Sequence, residues 1–396
     1  MQTPLLTEPT TIFAALAGML ALVFWLSRKP ALEKFFRLLP PVIWAYFVPM
    51  IATAIGVTPV SSPVYGWITR YMLPLSLFLL MVTIDLPAIL KLGRLAIIMM
   101  LVGTAGIVIG GPVAYAVFAS FLPENAWQGL AALSGSWIGG TANMVAIQQS
   151  VGAPDALLGP IIVVDTVVGY GWMGILLFMT AFQKKFDRWT KAEDGVYQEA
   201  LASLASAQPE RHPITIADLL IICGLGFVAA VIGIKLGGIL PAVGDPSVIS
   251  QTTWAVLVVV TAGIILSFTP LRNIEKAGAS RIGYLALYIL IASIGARADV
   301  GAILDAPMYM LTGVLWISIH VTLLMIAAKI FRAPLFFVAT GSMANVGGAA
   351  SAPVVASAFA PVLAPVGVLM GVAGYILGIY AALLCAWLLG QLSLLV

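Results

Sequence analysis

The chain has 396 residues, of which 61% are hydrophobic and only 9% charged, with a formal net charge of +3. Soluble domains carry about 25% charged residues, so the composition excludes an ordinary soluble domain, and the short alternating strands of a β-barrel are absent. Repeated apolar runs of roughly 17–27 residues can cross a hydrocarbon core of about 30 Å as helices. The expected class is an all-α polytopic membrane protein with the lipid bilayer as its first partner.

The start, MQTPLLTEPTTIFAALAGMLALVFWLSRKP, has no basic region before its apolar run and no small-residue cleavage site after it. It reads as a first transmembrane helix, not a removed signal. Apolar segments fall at 11–27, 41–57, 67–85, 94–120, 126–150 and 156–182. The only long charged stretch, 183–213, is expected to be a solvated cytoplasmic linker with a short amphipathic helix. Segments at 214–239, 250–268, 282–298, 306–328, 334–357 and 361–391 complete the chain. The organisation expected is a first membrane repeat over 1–182, a linker over 183–213 and a second repeat over 214–396.

The halves match in order. Asp85-Leu-Pro-Ala-Ile-Leu parallels Asp299-Val-Gly-Ala-Ile-Leu, and Gly135-Ser136 parallels Gly341-Ser342. Val168-Gly169-Tyr170 with Gly174 parallels Ala373-Gly374-Tyr375 with Gly378. Basic residues orient the halves, because Lys and Arg collect in cytoplasmic loops. Five clusters hold 16 of the 19 basic residues: Arg28/Lys29/Lys34/Arg37, Lys91/Arg94, Lys184/Lys185/Arg188/Lys191/Arg211, Arg272/Lys276/Arg281 and Lys329/Arg332. With all five on one side, segment 67–85 runs inward and its counterpart 282–298 runs outward. The repeats are then inverted.

Chain parity singles out 126–150 and 334–357. Each half closes with five crossings plus one Gly-rich element that either re-enters as a hairpin or breaks while crossing. Hairpins are the preferred reading, with arms of about 10 residues reaching about 15 Å and a first bend near Gly135–Gly140. Backbone without hydrogen bonds persists at membrane depth only when buried in protein or lining a cavity. Paired interruptions in two halves point to a binding site.

The polar groups of these elements are Ser136, Thr141 and Asn143 in the first half, and Ser342, Asn345 and Ser351 in the second. Neutral oxygens suit Na⁺, and free N–H groups at half-helix N-termini suit anions; the plainer alternative is close packing of small residues. Asp165 sits mid-segment in PIIVVDTVVGYGW, where an ionisable residue marks an ion or substrate path. Gly169 and Trp172 share its helical face, and Met370 occupies the equivalent place in the second half. The expected ion site is Asp165 with Thr141, Asn143 and Ser351, sodium at Asp165 being the hypothesis. The expected substrate contacts are Ser136, Asn143, Ser342, Asn345 and Arg297. Arg297 has a second reading, pairing with Asp299. Asp85 and Asp299 read as helix caps, His320 as an interhelical hydrogen bond or a proton relay, and Lys235 as a snorkelling residue. Cys223 and Cys385 read as packing residues, with no disulfide implied.

No hydrolase, metalloprotease or P-loop motif is present, so the chain is expected not to be an enzyme. Any transport work would come from a gradient, with no cofactor beyond a sodium ion or proton and with no nucleic-acid partner. The expected function is a secondary active transporter, sodium-coupled, for a small organic anion, amino acid or short peptide. The alternatives are a proton-coupled carrier and a passive channel or facilitator. A multi-pass place in the cytoplasmic (inner) membrane is expected.

The motifs GSWIGGTANM, VVDTVVGYGWMG and GSMANVGGAASAPVVA resemble the YjcL-like integral membrane family, domain of unknown function 819, over nearly the whole chain. That family is similar to inverted-repeat sodium/glutamate and bile-acid/sodium symporters. The resemblance implies a core domain holding both discontinuous elements, a scaffold or dimerisation domain, elevator-like alternation and a homodimer.

Overall fold

The computed structural model of the chain describes residues 4–192, 213–244, 249–298, 301 and 306–395. Most of the linker, with Arg211 and His212, lies outside the described residues, as does Asp299. All named elements among the described residues are helical. The first half runs through α1 (Pro9–Ser27), α2 (Pro41–Ala54), α3 (Pro63–Val82), α4 (Arg94–Phe118), α5 (Ala126–Gly139), α6 (Thr141–Ser150) and α7 (Leu158–Met179). A short helix, α8 (Gln183–Thr190), opens the linker. The second half runs through α9 (Ile216–Ile239), α10 (Gln251–Leu266), α11 (Ala279–Gly295), α12 (Ala306–Phe331), α13 (Leu335–Val346), α14 (Gly348–Phe359) and α15 (Ala364–Ser393).

Seven helices (α1, α3, α4, α7, α9, α12 and α15) are long and apolar enough to cross a membrane. α2 and α10 reach that length only together with a short, sharply bent neighbour. The chain is an all-α polytopic membrane protein.

Segments 126–150 and 334–357 are hairpins. Gln128, near the start of α5, donates from Nε2 to the Val151 carbonyl just past α6, at 2.9 Å. A helix continuing through residues 128–151 would separate those groups by about 35 Å. In the second hairpin, Phe336 and Phe359 meet edge to face at 5.6 Å between ring centroids, from the two outer ends of α13 and α14. The first bend falls at Gly140, with φ 78° and ψ −177°, a region essentially restricted to glycine. The second falls at Gly347–Gly348, where Gly348 has φ 59°. The arms of 14 and 10 residues, and of 12 and 12, are about 15–21 Å long.

The hairpins open at opposite ends of the molecule. α4 and α12 run antiparallel, since Gly103 and Gly106 face His320 while Gly110 and Gly111 face Trp316. The hairpin after α4 and the hairpin after α12 therefore start from opposite ends. Four of the five basic clusters, in their described residues, share one end. Arg272 bridges Asp85 at 2.8 Å. Lys329 Nζ donates to the Trp189 carbonyl, and the Leu335 amide donates to Asp187 Oδ1 at 2.8 Å. Asp85 also caps the next short helix, accepting from the Ala88 amide.

Spatially, the chain does not divide at its linker. α1–α3 pack with α9–α11 as one bundle, and α4–α7 pack with α12–α15 as another. Lipid supplies no hydrophobic drive for helix association, so close packing of small residues must do it. In the second bundle, Gly367, Gly371, Gly374 and Gly378 of α15 form one such stripe. A side chain at residue 374 would begin 2.5 Å from the Ile138 carbonyl oxygen. Trp316 fills the α4–α12 seam, donating to the Ile107 carbonyl at 2.8 Å and meeting Trp137 at 5.1 Å between centroids.

Candidate functional site

The two hairpin tips touch. A Cβ on Gly348 would lie 3.8 Å from the Gly140 Cα, and the Tyr375 ring of α15 lies beneath both tips. Beside them is a cavity of about 390 Å³. Its walls come from both bundles: α2 and α11 on one side, and α7 with both hairpins on the other. It therefore lies between two bodies and at the ends of four half-length helices.

Asp165 faces this cavity from α7, with Ile162, Thr166, Gly169, Tyr170 and Met173. These six positions follow helical spacing, so one face of α7 forms a continuous wall. Ser136 Oγ donates to Asp165 Oδ2 at 3.0 Å, tying α5 to α7. Trp137 also lies within reach of this carboxyl, and its buried indole N–H closes no hydrogen bond. Across the space, Tyr170 interacts with Ser351 of α14. Thr141 lines the wall at the start of α6. Asp165 is the one charged side chain among the described lining residues; no Lys, Arg or His joins it. A carboxylate at this depth requires a counter-charge or a proton.

Of the residues singled out from the sequence, Asp165, Ser136, Thr141 and Ser351 are brought together on the cavity wall. The others are not. Asn345 is fully buried behind the second hairpin. It accepts from Thr104 at 2.8 Å and donates to the Met100 and Gly341 carbonyls, so every polar atom is engaged by protein. Asn143 lies behind the first tip, donating to the Tyr375 carbonyl at 3.3 Å. Its Oδ1 is buried without a partner.

Ser342 sits in a four-helix relay. Trp172 Nε1 donates to Ser342 Oγ at 2.8 Å, and Ser342 Oγ lies 2.8 Å from His320 Nε2. His320 Nδ1 lies 2.9 Å from the Gly103 carbonyl. That carbonyl can only accept, so Nδ1 carries the proton and Nε2 accepts from the serine hydroxyl. His320 is thus an interhelical contact. Although Trp172 lies on the same side of α7 as Asp165 in projection, its indole is spent on Ser342.

Arg297 is also away from the cavity. Its Nη1 pairs with Asp155 Oδ2 at 2.9 Å, and its Nη2 donates to Thr69 Oγ1 at 3.1 Å. Among the described residues the acid it meets is Asp155, from the turn between α6 and α7; Asp299, the neighbour that spacing suggested, lies outside the described residues. Gln148 donates to the other Asp155 oxygen at 2.7 Å. This cluster spans the two bundles at the end opposite the basic loops. Ser250, which caps α10, and Thr253 within it add a second link there, both donating to the Ser150 carbonyl. Near the tips, Tyr284 of α11 and Tyr375 of α15 share a hydrogen bond of 2.9 Å.

Sequence reasoning missed Tyr46, Thr166, Tyr170 and Tyr288 on the wall, and Asp155 and Gln148 in the cross-bundle cluster. The spacing of Thr166 and Tyr170 from Asp165 carries a readable signal for those two. Tyr46 and Tyr288 come from the other bundle, and nothing local marks them.

Comparison with known proteins places the chain in a wider family. The family described as "Protein of unknown function (DUF819)" matches residues 14–392. The chain is 26% identical over 373 residues to the "Uncharacterized membrane protein YjcL" of Bacillus subtilis (strain 168), an alignment covering 90% of this chain and 92% of that protein.

Proposed function

From the premise that the chain belongs to the DUF819 family, we propose that it is a secondary active transporter of small molecules, not an enzyme. The observation that carries the reading is the meeting of two hairpins, opened at opposite ends, beside a cavity between two helix bundles. The six elements of each half are related as inverted repeats; the antiparallel α4–α12 pair and the oppositely opened hairpins support this. The bundle holding the hairpins acts as the moving core, and α1–α3 with α9–α11 act as the scaffold. A substrate between them is exposed to one side or the other as the core shifts. Polar bridges join the bundles at discrete points, as expected of surfaces that part.

Asp165, Ser136, Thr141 and Ser351 form the coupling-cation site, taken by sodium or a proton. Neutralising Asp165 removes the cost of carrying a bare carboxylate through the bilayer centre. Among the substrates expected from the sequence, those bearing an amine find a partner on the wall, while a simple organic anion does not. The protein acts in the cytoplasmic membrane, with the five basic clusters inside, and its scaffold forms a homodimer.

The test is uptake of labelled amino acids, dipeptides and amines into proteoliposomes of purified protein under imposed sodium or proton gradients. Concentrative uptake that follows one gradient and is lost in Asp165→Asn is expected. Uptake that only equilibrates, indifferent to both gradients, identifies a channel and overturns the carrier reading.

A further inference from the structure

Charge on the cavity wall is one-sided. Asp165 is the sole charged side chain among the described lining residues, and Arg297 is held at Asp155, 2.9 Å away from that oxygen. The hairpin tips do not restore a positive field. At each tip a helix C-terminus and a helix N-terminus meet within two residues: Gly139 and Thr141, Val346 and Gly348. The half-charges of these macrodipoles are of opposite sign and adjacent, so they largely cancel over the width of the cavity. The carboxylate then dominates the local potential.

Beyond the carboxylate and the hydroxyls of Ser136, Thr141, Thr166 and Ser351, the wall is apolar and aromatic. Met144, Met173 and Met343 supply adaptable thioether surface. Tyr170 and Tyr288 line the wall too, and tyrosine rings attract cations over their faces. With Tyr46, these are the other titratable groups of the wall, and as phenols they are neutral at ordinary pH. Pockets of about 300–1,000 Å³ suit small organic ligands, and this one is near the lower bound.

We propose that the transported substrate is a small organic cation, an ammonium group on an apolar body, with the ammonium paired to Asp165 and the body against the methionines and tyrosines. This rests on the carrier reading. The substrate and the coupling cation take the same carboxylate in turn, which makes the cycle an exchange.

The test separates this claim from transport itself by measuring binding. Detergent-purified full-length protein is titrated with n-butylammonium, n-butyrate and n-butanol, with thermal stabilisation and calorimetry as readouts. The three probes share size and differ in charge. Stabilisation by butylammonium alone, with affinity falling by at least about tenfold in Asp165→Asn, is the expected result. Stabilisation by butyrate, equal stabilisation by all three probes, or none by butylammonium overturns the proposal and leaves the carrier reading to the flux assay. The wild-type comparison decides the matter even where Asp165→Asn does not fold.

Discussion

His320 and Asp165 show how differently two intramembrane ionisable residues can be used. His320 is fully buried, with both ring nitrogens engaged, one to the Gly103 carbonyl and one to Ser342. His320→Ala strands a carbonyl and a hydroxyl, which costs about 1–3 kcal/mol. A lowered thermal midpoint is therefore expected, with the pH profile of transport unchanged in the protein that folds. A shifted profile would make the histidine a proton relay. Asp165 accepts one hydrogen bond, from Ser136, and faces open space. Asp165→Asn is expected to retain thermal stability while abolishing gradient-driven uptake. A large loss of stability there would assign the carboxyl to architecture. Asn345 belongs with His320: its three hydrogen bonds are satisfied by α4 and α13. Sequence could flag all three as polar residues at membrane depth. It could not tell them apart, because satisfaction depends on partners as far away as Thr104 is from Asn345.

At the scale of elements, the hairpin is the unit that matters. Gly140 occupies backbone space that essentially only glycine enters. Gly140→Ala is expected to cost of order 1–3 kcal/mol, seen as a lower thermal midpoint. A midpoint within experimental error of wild type would show that the bend is set elsewhere. Gly374→Val is expected to be more severe, with little folded protein recovered. Its Cβ would meet the Ile138 carbonyl, and backbone cannot rotate away. Size-exclusion profiles of the two variants check the ranking. The hairpins themselves were legible in the sequence through charge parity and Gly-rich composition. The bend was expected near Gly135–Gly140 and falls at Gly140. What was not legible is the unequal surroundings of the matched motifs around Tyr170 and Tyr375. Tyr170 lines the cavity, whereas Tyr375 lies beneath both tips and bonds Tyr284. Identical local residues acquire different roles because α7 borders the gap between bundles and α15 is packed along both hairpins.

At the scale of the molecule, the question is whether the two bundles move apart. Asp155 and Arg297 bridge them at the end away from the basic loops, with relative side-chain exposures of 18% and 22%. Cysteines at 155 and 297, in a background with Cys223 replaced by Ser, can be joined by a short bifunctional thiol reagent. Joined protein is expected to lose transport and regain it on cleavage of a reducible tether. Undiminished transport by the joined protein would mean the bundles do not separate there. Composition, segment count and basic-residue placement were enough to specify an all-α membrane protein with two Gly-rich interruptions, because hydropathy and loop charge are local properties that the bilayer reads directly. Which elements share a bundle, which acid Arg297 meets and which polar residues face open space were decided only by tertiary structure. In lipid, helix association rests on close packing and long-range hydrogen bonds between residues hundreds of positions apart. No local pattern encodes that pairing. The Gly-rich elements announced themselves in the chain, and folding determined that their tips would meet beside Asp165.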